Sequence, residues 1–100
     1  PEGSPVIGDT VQWFEGTRLT LSVTLTGEPG ATVRGMIGDR TADEQTFGDD
    51  GTVTLDLHPT AFEILPPSAT VSFVYVVGDQ VGPAATTSVG ELIGAASTAA

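Results

Sequence analysis

The chain has 100 residues, with three Arg, no Lys and thirteen Asp or Glu, for a net charge of −10. That length holds one hydrophobic core, and that charge repels phosphate backbones and anionic membrane faces, which excludes nucleic acid and membrane insertion. Cysteine is absent, so disulfides, thiolate metal sites and cysteine nucleophiles are excluded and packing alone must hold the fold.

Residues 1–5, Pro-Glu-Gly-Ser-Pro, read as a linker, and the chain reads as a piece of something longer. Val6 and Ile7 start a short strand, Gly8-Asp9 is expected to turn it, and Thr10 to Phe14 forms an edge strand with Val11 and Trp13 on one face. The single Trp reads as a plug closing one end of the core. A second reading makes Trp13 and Phe14 an exposed stacking patch for sugar rings. After Glu15-Gly16, the run Arg18 to Thr26 alternates Leu19, Leu21, Val23 and Leu25 with Thr20, Ser22, Thr24 and Thr26. No helix can use that pattern; it predicts a strand of about 30 Å with one greasy face and one wet, hydroxyl-bearing face.

Gly27-Glu28-Pro29-Gly30 is a turn by composition. Ala31 to Ile37 follows as a strand, with Val33, Gly35 and Ile37 on one side and Gly35 marking a bulge or a close approach by another backbone. Gly38 to Gly51 reads as an acidic loop with one short strand at Glu44 to Phe47, closed by a hairpin signal at Asp50-Gly51. Thr52 to Leu57 alternates again. A helical turn is predicted near residues 60–65, where Thr60 and Glu63 have capping spacing and Pro66-Pro67 ends it.

The most strand-like stretch is Ala69 to Val77, which is too apolar for an edge and predicts a central strand buried on both faces at its end. Val71, Phe73, Tyr75 and Val77 share its inner side. Ala84 to Ile93 is expected as a last, ragged strand, interrupted by Gly90 and Glu91, and residues 94–100 as a linker or disordered tail. About seven strands, separated by turn signals every eight to twelve residues, predict an all-β, immunoglobulin-like antiparallel sandwich over residues 6–93.

Chemistry-bearing groups are few. His58, beside Pro59, closes a strand with no nucleophile elbow or oxyanion glycines around it, so no enzyme is expected. Calcium is the one cofactor for which hard ligands gather: Asp39, Asp43, Glu44, Asp49 and Asp50 fall in one segment. Their spacing does not match a helix-loop-helix calcium loop, and a solvated acidic loop is the expected state.

Three stretches, Glu15-Gly16-Thr17-Arg18-Leu19-Thr20-Leu21, Gly51-Thr52-Val53-Thr54-Leu55, and Val71 to Gly78-Asp79 with Gly82, resemble the bacterial immunoglobulin-like repeats of large surface proteins and adhesins. Similar domains decorate phage tails and capsids. The resemblance implies a spacer or adhesive module, extracellular or on the cell surface, or alternatively on a phage virion. Its partners would be neighbouring domains of the same chain, another protein, or a glycan. Asp79-Gln80-Val81-Gly82-Pro83 departs from that family's Asp-Xaa-Xaa-Gly-Asn close by lacking the Asn.

Overall fold

The structure is a computed structural model that describes residues 1–58 and 66–98. The helical turn expected near residues 60–65 lies outside them. The described elements run β1 (Val6–Glu15), β2 (Arg18–Thr26), β3 (Thr32–Ile37), β4 (Arg40–Thr46), β5 (Thr52–Leu57), β6 (Thr70–Val77), β7 (Gln80–Val81), β8 (Ala85–Ser88), α1 (Val89–Ala95) and β9 (Ser97–Thr98). Seven of these strands have four or more residues, and β7 and β9 are two-residue pieces.

Two sheets face one another. One has the order β5-β2-β1-β9; the other has the order β4-β3-β6, with β7 and β8 both paired to the far side of β6. Every pairing is antiparallel except that of β1 with β9. Strands β1, β2 and β5 opposing β3, β6 and β8 make the immunoglobulin-like order, with β4 added beside β3. The all-β, immunoglobulin-like sandwich expected from the sequence is therefore the architecture found.

Alternation puts the core between the sheets. Leu21, Val23 and Leu25 of β2 meet Leu55 and Leu57 of β5, and across the layer lie Val33, Ile37, Val71, Phe73 and Tyr75. Val23, Leu25, Val33, Leu55, Val71 and Phe73 are fully excluded from water, each stabilising the fold by about 1.5–3 kcal/mol relative to exposure. Side chains of both sheets press on Gly35: a Cβ there would sit 2.9 Å from Leu55 Cδ2 and 3.2 Å from Phe73 Cε1. The register of β4 against β3 also slips between Gly35 and Met36, with the extra residue, Ala42, on β4; the irregularity expected at Gly35 is present, while what approaches it is side chains rather than another backbone.

The basal end of the sandwich is where β1 begins, with Val6 opposite Thr26; the distal end is where β1 turns into β2, with Glu15 opposite Arg18. Tyr75 helps close the basal end: its hydroxyl accepts from the Glu28 amide at 3.0 Å, and its ring tilts against Phe47 at 5.9 Å.

Several expectations need correction. Gly8-Asp9 does not separate two strands: Val6 and Ile7 pair with Thr26 and Leu25 on the same partner as the rest of β1, and the pair is a register irregularity inside one strand. The acidic loop is mostly strand, because β4 begins at Arg40 and pairs through Thr46 with β3. Central β6 is buried on both faces as expected through Phe73, Val74 and Tyr75, but not to its end. Its last β3 partner is Thr32, opposite Val76, so Val77 runs past that strand and is 61% exposed.

The largest difference is at the C-terminal side. Ala84 to Ile93 is not one strand, since β8 stops at Ser88 and α1 takes over. Ser88 is the helix cap, its hydroxyl accepting from the Glu91 amide at 3.2 Å, while Val89 and Leu92, three residues apart on one helical face, are buried. The amides of Val89 and Gly90 donate to the carbonyls of Ala69 and Pro67. Gly90 permits that approach, because a Cβ there would lie 3.1 Å from the Pro67 oxygen. Nor are residues 94–98 a tail: α1 runs to Ala95, and Ser97 and Thr98 pair in parallel with Val11 and Gln12.

Candidate interaction surfaces

The outer face of the first sheet gathers the polar half of the β2 alternation. Ser22 stands opposite Val11 on one side and Asp56 on the other, and Trp13 stands opposite Thr20. Trp13 Nε1 donates to Ser22 Oγ at 2.8 Å, and Ser22 Oγ donates to Asp56 Oδ1 at 2.6 Å. The indole is thus tied to a carboxylate two strands away. Next to it, Thr20 Oγ1 and His58 Nδ1 lie 2.9 Å apart, and Thr24 and Thr54 share a hydroxyl contact at 3.2 Å. Thr20 is fully buried, while Ser22 and Thr24 are half-buried and Thr26 and Thr54 exposed, so this face is hydrogen-bonded and wet as expected except at Thr20.

Trp13 accordingly does not plug the core. It lies half-buried on the outside of the first sheet, outside the buried apolar cluster. Phe14, one residue on, points to the opposite face of β1 and is 58% exposed, because successive strand side chains alternate. The two rings do not form one stacking patch.

The acidic candidates are spread along a hairpin rather than gathered. Asp39 lies in the turn before β4 and Asp49 and Asp50 in the turn after it, so the length of the strand separates them. Asp43 accepts from the amides of Glu44 and Asp56 and from the Gln45 side chain. Its bond to Asp56 N, at 3.0 Å, crosses from the edge of the second sheet to the edge of the first. Glu44 pairs with Arg34 at 2.9 Å. Asp50 accepts from the Thr52 amide and hydroxyl, both at 3.0 Å, and those bonds, the amide first, hold its carboxyl below the usual aspartate range. Among the described residues no three metal-binding side chains converge.

Among the described residues the ends carry most of the exposed large apolar groups. At the basal end Val6, Val77 and Val81 are 63%, 61% and 55% exposed. A depression of about 330 Å³ lies there between Glu28–Thr32 and Val76–Val77, and a smaller one of about 160 Å³ beside Val81; Pro1 borders both. The first residues lean on this end, with the Pro1 nitrogen 3.8 Å from Glu28 and Pro5 buried. At the distal end the exposed aromatic is Phe14, next to the turn that leads to Arg18.

Three of these features escaped the sequence reading. Ser88 and Glu91 have the spacing of a capping box, a signal that was legible. The Trp13–Ser22–Asp56 chain and the Asp43–Asp56 clip depend on which strands become neighbours, for which the sequence has no local sign. No family model, curated protein or solved structure matches the chain.

Proposed function

We propose that the chain is a non-catalytic, immunoglobulin-like module, a spacer or adhesive interaction domain of a larger bacterial surface or secreted protein. The parallel pairing of β9 with β1 supports this best. The chain enters β1 at the basal end, and Ser97 and Thr98 run alongside Val11 and Gln12 in the same direction, toward the distal end. Modules connected in this way string out in a line instead of folding back on one another.

The polar groups favour a structural role. The Thr20 hydroxyl beside His58 is fully buried, which denies it to a substrate, and the carboxylates serve strand edges and turns. The lysine-free, acidic composition keeps such a module dispersed.

Small-angle scattering on two copies fused in sequence tests the reading. An extended particle close to twice the length of one domain supports it, whereas a folded-back, compact pair overturns it. Sequencing the parent reading frame adds a second check: an export signal and further sandwich domains are expected, and a free-standing frame with neither counts against it.

A further inference from the structure

We propose that the two ends of the domain are contact surfaces for a second copy of the same domain, met head to tail; this rests on the spacer reading. Apolar exposure is concentrated where such a contact would form. Of the large hydrophobic side chains most exposed among the described residues, Val6, Val77 and Val81 lie at the basal end and Phe14 at the distal end; Ile93, 39% exposed, is on α1. Exposed apolar groups that cluster, as Val77 and Val81 do along the basal depression, mark an interaction surface; at the distal end Phe14 stands alone, and charge, rather than apolar area, marks the surface.

Charge chooses the partner. The basal end carries Glu2, Glu28, Asp49, Asp50 and Asp79 with no Arg, its one positive group being the Pro1 nitrogen beside Glu28, whereas two of the three arginines, Arg18 and Arg40, begin strands at the distal end beside Glu15 and Asp39. Basal against basal would oppose like charges around the valines. Basal against distal places the carboxylates near Arg18 and Phe14 near the depression bordered by Pro29 and Val77. The flanks offer less. The Asp43 carboxylate occupies the Asp56 amide on the outer edge of β5, and β9 covers β1 at Val11 and Gln12, which obstructs strand addition at both sides of the first sheet.

Such a contact is heterologous, so each pairing leaves one basal and one distal surface open and the association does not stop at a dimer. It can also be weak. A short linker presents the next module at an effective concentration on the order of millimolar, which a millimolar affinity suffices to use.

Sedimentation equilibrium of the chain up to millimolar concentration, in about 0.15 M salt to screen the net charge, tests this. The average mass is expected to rise without a plateau at two copies. A basal variant carrying Val77→Ser and Val81→Ser, and a distal variant carrying Phe14→Ser, should each lose self-association by about tenfold or more; all three positions are exposed, so folding is preserved and circular dichroism checks it. Mixed together, the two variants should form a one-to-one pair through their remaining intact ends. A wild-type chain that stays monomeric overturns the inference, as does a variant that still dimerises alone, which would signal a like-to-like contact. Either result leaves the spacer reading standing, since modules can be strung in line without touching; only a folded-back two-copy fusion removes that.

Discussion

The two faces of β2 hold the first sheet by different physics. On the inner face Leu21, Val23 and Leu25 are dry and unbonded, and on the outer face Thr20, Ser22 and Thr24 are tied by side-chain hydrogen bonds to His58, Asp56, Trp13 and Thr54. Burial is non-directional and scales with area, so the inner face contributes most of the stability. Hydrogen bonds gain only about 0.5–1.5 kcal/mol each but demand a defined geometry. The inner face makes the sheets meet; the outer face sets where Trp13 lies.

This contrast can be broken at its strong side first. Phe73→Ala empties the centre of the dry layer and should cost about 3–5 kcal/mol, read as a fall in the urea midpoint without a large change in slope. Ser22→Ala attacks the outer face. Removing the hydroxyl between the indole and Asp56 should cost about 1–2 kcal/mol and change the Trp13 fluorescence while the fold persists; an unaltered emission spectrum would show that Ser22 does not position the ring. Ser88→Ala tests the helix that bridges the sheets, and loss of its cap should cost about 1 kcal/mol, visible in thermal unfolding.

The smallest effect is acid-dependent. Because the Thr52 bonds lower the Asp50 pKa in the folded state below the ordinary aspartate value of 3.8, its stabilising contribution is complete above that value and fades as pH falls through the lowered folded pKa. Asp50→Asn should flatten the acid limb of the melting curve slightly, relative to wild type, below about pH 4. An unchanged limb would remove this residue from the account of acid stability.

What the sequence disclosed follows the same division. Period-two alternation reports which side of a strand is dry, so β2, β3, β5 and β6 were legible from Leu19–Leu25, Val33–Ile37, Val53–Leu57 and Val71–Tyr75. Outer-face chemistry was not, because Trp13, Ser22 and Asp56 sit on three strands and meet only after the register is set. Beyond Ser88 the strand reading failed for a different reason. Val89 and Leu92 carry helical spacing over barely two turns, too short for periodicity to outweigh neighbouring Thr and Val, and only the Ser88–Glu91 pair marked the change. Gly8-Asp9 misled because both residues favour turns, although here they accommodate an irregularity within a continuous strand.

Tension along a string of such modules would reach β9 before it reached the core. Pulled from opposite ends, β1 and β9 slide past one another, and only two residues on each resist that shear. Residues 89–98 would then extend first, to at most about 35 Å end to end, so the slack gained is smaller than that by the span they already cover, while the facing sheets stay shut; a force–extension trace with no such early step would count against this. The seam that completes the first sheet thus doubles as its mechanical fuse.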